Sequence, residues 1–292
     1  MVVSDNMDYQ VIVVGGGHAG LEASFASAHM GLETLLVSLN IKKMGNMPCN
    51  PSIGGSAKGI VVREIDALGG QMGITTDNTY IQMKMLNTSK GPGVQCLRAQ
   101  IDKLRYPAYM QDVLLHEKNV TVKEIMIKEL IIEDKKCIGV IDEFNDKYFA
   151  KAVILTTGTY LESTILVGHD VTVSGPFGQR SAQGLSPYLA SLGFKILRLK
   201  TGTPPRVKKE TIDFSKTEPQ LGTPGNIAFS YETKDFIPLE EQTPCYLIHT
   251  TDDTKKIISN YVFSFKYNNE SENEWQKNPK VMKRSFGDIN PN

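Results

Sequence analysis

The hydrophobic pattern is sharpest at the start of the chain. Residues Tyr9–Val14, YQVIVV, form a short continuous apolar run, the pattern of a parallel strand buried on both faces. After a glycine-rich turn, Leu21, Ala23, Ala26 and Ala28 continue with small and apolar residues to Gly31, a suitable helix C-cap. A second apolar run, Thr34–Ser38, completes a strand, turn, helix, strand order. Ile60, Val61, Ile65 and Leu68 recur at helical spacing and predict a helix beginning near Ser56. The stretch before it, Met44–Gly55 (MGNMPCNPSIGG), reads as a loop, too rigid for a helix and too irregular for a strand. A further helix is expected from Ala99 to Lys118. Alternating strand patterns then run from Val120 to Val153, with turns at EDKK and FNDK. Within "FAKAVILTTGTYL" a buried strand, Ala152–Leu155, ends in Thr-Thr-Gly.

The turn after the first strand carries chemistry. Gly15, Gly17 and Gly20 form G-x-G-x-x-G between a strand and a helix. In that setting the first glycine permits the tight turn and the second lets the backbone approach a pyrophosphate. The third lets the helix pack on the strand, and the helix N-terminus offers free N–H groups to the phosphates. The second strand ends VSLN, without the acidic residue that usually holds ribose hydroxyls, so Ser38 or Asn40 would have to do that work. His18, inside the loop, reads as a packing or phosphate-side residue rather than an acid or base. Cys49 lies in the Met44–Gly55 loop ahead of the predicted helix, and a thiol near a helix N-terminus becomes a better nucleophile. A buried cysteine in a structural turn is the competing reading.

Composition narrows the possibilities. The 292 residues are long enough for one large domain or two smaller ones, and 40% apolar with 22% charged residues is ordinary for a globular protein. Thirty-two basic and thirty-two acidic residues cancel, so a nucleic-acid partner needs a local patch. Lys195–Lys209, KILRLKTGTPPRVKK, is such a patch, with basic residues and no acid; a solvated basic surface is its plainer reading. Cys49, Cys96, Cys137 and Cys245 have no C-x-x-C or zinc spacing, which disfavours a flavin disulfide reductase and leaves no expected metal site. The first residues, MVVSDNMDYQ, do not resemble a leader, and no run is long and apolar enough to span a bilayer. A cytoplasmic protein with reduced thiols is expected.

The order of a dinucleotide loop, a small antiparallel excursion and a strand ending TTG resembles the two-dinucleotide-binding-domain flavoproteins, and favours FAD over NAD at the first turn. More closely, VIVVGGGHAGLEA, CNPSIGGSAKGIVVREIDALGGQMG, MLNTSKGPGV, AVILTTGTYL, LKTGTPPR, IDFSK and PCYLIHT together resemble the MnmG (GidA) family. These are FAD-dependent tRNA uridine 5-carboxymethylaminomethyl modification enzymes. The resemblance implies an α/β, Rossmann-like FAD-binding fold with an inserted subdomain. It also implies modification of carbon 5 of a wobble uridine in tRNA together with the GTPase MnmE. NADH and methylene-tetrahydrofolate serve as family co-substrates, and a homodimer is the family's assembly. Carried onto this chain, the resemblance places cofactor contacts at Gly15, Gly16, Gly17, His18, Ala19, Gly20, Ile127 and Ser181. It makes Cys49 the catalytic thiol, and Lys200 and Arg206 candidate tRNA contacts.

The chain departs from the family pattern near its end. After PCYLIHTTDDTKKIISNYVFSF the family's GPRYCPSIEDK segment, with its second cysteine, does not appear, nor do its final strand and C-terminal helical domain. The expected organisation is an FAD-binding domain over 1–160, an inserted tRNA-facing subdomain over 161–262, and a divergent, disordered tail over 263–292. The missing strand predicts an exposed sheet edge. A truncated, non-catalytic fragment with at most residual FAD or tRNA binding is the alternative to an active enzyme.

Overall fold

Apolar runs bury both faces of the sheet they form, and this governs the architecture of the computed structural model, which describes residues 8–167, 170–199, 202, 204 and 206–262. The expectation of a disordered tail falls on residues outside that range. The chain begins with β1 (Tyr9–Val14), α1 (His18–His29), β2 (Thr34–Ser38), β3 (Ser52–Gly54), α2 (Lys58–Ala67) and α3 (Met72–Thr79). Next come β4 (Tyr80–Leu86), β5 (Cys96–Ile101), α4 (Arg105–Leu115), β6 (Val120–Glu124), β7 (Ile127–Glu133), β8 (Lys136–Asp142) and β9 (Lys147–Leu155). The remainder holds β10 (Ile165–Val167), β11 (Asp170–Thr172), α5 (Leu185–Ser191), β12 (Glu218–Gln220), β13 (Cys245–Leu247) and α6 (Asp252–Val262).

The main sheet has the order β6-β2-β1-β9-β8-β7. Strands β6, β2, β1 and β9 run parallel, while β7, β8 and β9 form an antiparallel meander. Strand β9 belongs to both. Lys147–Phe149 pair with β8, and Ala150–Leu155 pair with β1. Strand alternation sends successive residues to opposite cores. Val11, Val13 and Leu36 pack with Leu21 and Phe25 of α1 and Tyr106, Met110 and Leu114 of α4. Ile12, Val14, Leu35 and Val37 pack with Ile127, Leu130 and Val140 of the meander and Leu185 of α5. Each such fully buried large side chain stabilises the fold by about 1.5–3 kcal/mol. This is the expected doubly covered α/β architecture.

The predicted strand, helix and strand of the first forty residues are observed at their predicted places, with Gly31 in the left-handed conformation past α1. The EDKK turn is a two-residue hairpin, Asp134 and Lys135 both at positive φ, which suits the twist of the flanking strands. Three expectations need correction. The helix near Ser56 begins at Lys58 and leaves Ile60, Val61 and Leu68 exposed, burying Gly59 and Val62 instead. The Met44–Gly55 loop contains a strand, β3, paired with Arg98–Gln100. The helix expected from Ala99 begins only at Arg105, because Cys96–Ile101 is the middle strand of the antiparallel sheet β3-β5-β4. Asp102 ends that strand and opens α4, its carboxylate accepting the N–H groups of Leu104 and Arg105 at 2.8 and 3.0 Å.

The chain divides into two compact units. The first takes Met1–Leu197 and Leu221–Pro244; the second takes Arg198–Gln220 and Cys245–Asn292. In the second, β12 pairs antiparallel with β13, and Phe214 packs edge-on against Tyr246 at 4.7 Å. In the first, segment 221–244 covers the open edge of β4. Thr223 N–H donates to Met83 O at 2.9 Å, Thr243 N–H to Ile81 O at 2.8 Å, and the Gln242 side-chain oxygen accepts from Met83 N at 2.9 Å. Buried Asp77 of α3 holds the same segment, accepting from Phe229 N, Ser230 N and Thr233 Oγ1 at 2.9, 2.8 and 2.6 Å. Burial raises the Asp77 pKa above the usual carboxylate value, against those hydrogen bonds. Replacing Asp77 by alanine strands three donors and is expected to cost ~3 kcal/mol, with Asn intermediate. Urea unfolding midpoints of the two variants check this.

Candidate functional site

The site is built where β1 and β9 end side by side. The Thr156 N–H donates to Val14 O at 2.9 Å, and its hydroxyl donates to Val14 O or Gly15 O, both at 3.0 Å. The backbone at Gly15 has φ +116, and a Cβ there would fall 2.4 Å from Thr156 O. At Gly20 a Cβ would fall 1.8 Å from Gly15 O. A Cβ on Gly16 would meet Met44 Cγ at 2.7 Å and Ser38 Oγ at 2.9 Å. Gly17 differs from all three, since nothing lies within 4 Å of the position its Cβ would take. It precedes α1 with extended backbone. The turn is thus closed on three sides by protein and open at Gly17, beside the free N–H groups of a helix start. This is a cradle for an anionic group.

Polar atoms around the cradle lack partners. His18 Nδ1, Glu22 Oε1 and Tyr106 OH are buried without a hydrogen bond, as is Asn40 Oδ1 past the end of β2. The His18 ring lies 5.6 Å from the Tyr106 ring. Burial, aided by the nearby Lys58 ammonium, lowers the His18 pKa from its ordinary 6.5 and keeps the imidazole neutral. Ser38 and Asn40 are both set at the cradle's side of β2, with Ser38 Oγ 3.4 Å from the Asn40 N–H that donates to it.

The Met44–Gly55 loop is pinned beneath the cradle. Gly45 N–H donates to Gly16 O at 3.0 Å, Gln111 Nε2 donates to Met44 O at 2.8 Å, and the Met44 and Met47 side chains are buried. Cys49 is half-buried. Strand β3 separates it in the chain from the start of α2, and Tyr160 lies near it. Burial raises the Tyr160 pKa, and the side chains of Asn46 and Gln179 and the Cys49 thiol lie close to its phenol, with Gln179 Nε2 buried without a hydrogen bond. Asn46, Cys49, Tyr160 and Gln179 therefore form one cluster, adjoining the glycine turn through Gly45. No motif in the sequence singled out Asn46, Tyr160 or Gln179. The Tyr of TTGTYL was the available signal, being the aromatic residue four positions past the Thr that caps the turn.

Other expected residues are placed differently. The Ile127 side chain is buried in the core, so only its backbone can face a ligand. The Ser181 hydroxyl accepts from Ser163 N at 2.7 Å and from Gln183 Nε2 at 2.8 Å, and lies 3.3 Å from Tyr160 O, to which it donates. It holds the residues behind Tyr160 in place. Lys200 lies outside the described residues; Arg206 is exposed in the second unit. Among the described residues no cluster of His, Cys, Asp and Glu is suited to a metal, and no helix is long and apolar enough to cross a membrane.

The family model described as "Glucose inhibited division protein A" matches residues 10–278. The chain belongs to this GidA family. It is 55% identical over 254 residues to the tRNA uridine 5-carboxymethylaminomethyl modification enzyme MnmG of Acholeplasma laidlawii, covering 87% of this chain and 41% of that protein. The MnmG of Geobacillus thermodenitrificans is 53% identical over 250 residues, 86% of this chain and 39% of the relative. The structure of Aquifex aeolicus GidA in one crystal form matches with a TM-score of 0.84 at 43% identity, covering 87% of this chain and 43% of that one. The GidA chain described here thus spans about two fifths of the length of these curated relatives.

Two outcomes follow from the geometry of the cradle. Gly17→Ala is expected to keep thermal stability within about 1 kcal/mol, as its Cβ meets only open space, whereas Gly20→Ala loses ~2 kcal/mol by forcing α1 off the turn. Melting curves of the pair check the contrast. Because His18 is neutral when folded and takes up a proton on unfolding, stability is full above its ordinary value and falls as the pH drops below it. A His18→Gln variant is expected to show a flatter fall than the wild type between about pH 7 and 5, measured by denaturant unfolding.

Proposed function

We propose that this GidA chain carries the FAD-binding portion of a tRNA-modifying flavoenzyme acting at carbon 5 of a wobble uridine. The observation that carries this reading is the cradle open only at Gly17, with the helix N-terminus behind it and a thiol cluster adjoining. The relatives named for tRNA uridine modification support the substrate class. Gly15–Gly20 would hold the pyrophosphate of FAD, Ser38 and Asn40 its ribose, and the Ile127 backbone its far end. Asn40 Oδ1, buried without a partner, suits a ribose hydroxyl donor. Bound there, FAD would supply reversible two-electron transfer.

The chain's own residues have separable tasks in this reading. His18, held neutral, packs the cradle against Tyr106 and adds no positive charge to it. Cys49 is the nucleophile, adding to carbon 6 of uracil to make carbon 5 reactive, or otherwise handling the transferred carbon. Asn46, Tyr160 and Gln179 fix the loop that presents it. Lys200 and Arg206 contact tRNA phosphates. NADH and methylene-tetrahydrofolate as co-substrates, the GTPase MnmE as partner, and a homodimer complete the proposal by family likeness.

The test is the visible absorption spectrum of the purified chain during titration with FAD. Flavin bands and near-stoichiometric saturation are expected, and Gly17→Ala should abolish them while melting like the wild type. A wild type that keeps no flavin once unbound FAD is removed would assign the chain to the non-catalytic reading instead. Cys49→Ser should keep FAD binding and lose uridine modification when tRNA and the GTPase are supplied. Undiminished modification would remove Cys49 from the chemistry.

A further inference from the structure

The turn that closes over Tyr160 exposes an aromatic ring. Gly175 lies flat against the Tyr160 ring, where a Cβ would fall 2.6 Å from Cδ1, and Gly175 N–H donates to Gln179 O at 2.7 Å. Between these anchors Phe177 takes a left-handed backbone, φ 57 and ψ 36, and 65% of the residue is exposed. Phenylalanine is an unfavourable choice on both counts. A bulky side chain raises the cost of that conformation, and an apolar ring gains nothing from water. Its one ring partner among the described residues is cationic, since Lys103 Nζ sits 4.3 Å from the ring centroid. An exposed ring backed by an ammonium group, at the tip of a turn rooted on the Cys49–Tyr160 cluster, has the chemistry of a single-stranded nucleic-acid platform. The ring stacks a base and the cation meets the backbone phosphate.

We propose that Phe177 is a positioning residue for the RNA substrate, stacking an unpaired nucleobase beside the Cys49 cluster while Lys103 contacts the adjoining phosphate. This rests on the tRNA reading above and adds to it a second contact, distinct from the Lys200 and Arg206 patch. Stacking serves any base, so Phe177 holds the loop near the thiol without itself selecting uridine.

The test uses the full chain and an anticodon stem-loop RNA with 2-aminopurine next to the wobble position. Wild type should quench the probe and prefer the stem-loop to a fully paired duplex of similar length. Phe177→Leu is expected to bind the stem-loop on the order of tenfold more weakly and to lose the quenching, and Phe177→Trp to restore both. Phe177→Gly relieves the left-handed backbone, so it should melt no lower than wild type and still lose affinity for RNA. Equal affinity and quenching in Phe177→Leu, with wild type binding RNA well, would overturn the platform and leave the tRNA reading standing. A weakened FAD titration in Phe177→Leu with unchanged RNA binding would also overturn it, giving the ring to the flavin. Wild type that binds no RNA would overturn the tRNA reading itself.

Discussion

Everything at the candidate site depends on how closely two backbones approach at the end of β1. The carbonyl of Gly15 sits where a side chain on Gly20 would have to be, and the carbonyl of Thr156 sits where a side chain on Gly15 would be. Thr156 ties the ends of β1 and β9 together with its N–H and hydroxyl. That contact fixes the start of α1, which in turn fixes the direction of its free N–H groups. A helix displaced by even one methyl group would point its positive end elsewhere. The TTG motif and the glycine motif, separated by well over a hundred residues, are therefore two halves of one joint.

The cysteine loop is a second layer on that joint. Gly16 leaves room for Met44, Gly45 bonds back to Gly16, and Met47 anchors the chain just before Pro48 and Cys49. The thiol's place is thus set by the same turn that forms the cradle. Tyr160 comes from the other side, a few residues beyond Thr156, and is steadied by the Ser163–Ser181 hydroxyl pair at 3.1 Å. The glycine cradle and the thiol are thus positioned from shared supports.

Where pattern alone sufficed, the cause is local. The first strand, turn, helix and second strand follow from an apolar run, three spaced glycines and a C-terminal Gly31, each acting within a few residues of itself. Ala99 shows the opposite case. Leu97, Arg98, Ala99 and Gln100 are good helix formers, yet pairing of Cys96–Ile101 on both sides with β3 and β4 overrides that preference. The glycine turn of the site was legible for the same local reason. The grouping of Asn46, Tyr160 and Gln179 around Cys49 was not, because it arises from three chain segments meeting, and none of them carries a distinguishing spacing. Ser181 illustrates a related limit: the family resemblance marked it as a cofactor contact, while its bonds with Ser163, Gln183 and Tyr160 come from segments that sequence spacing does not bring together.

Segment 221–244 has a consequence for how the chain can be divided. It belongs to the first unit, yet the sequence reaches it only after passing through Arg198–Gln220 and leaves it into Cys245 and beyond. The strand edge at β4 is therefore sealed by a part of the chain made long after β4 itself. During synthesis that edge waits, unpaired, until residues past Thr243 have emerged, and any expressed piece ending near Leu197 would keep it open permanently. The first unit is thus discontinuous in sequence, Met1–Leu197 together with Leu221–Pro244, and shortening the chain from its end removes part of it.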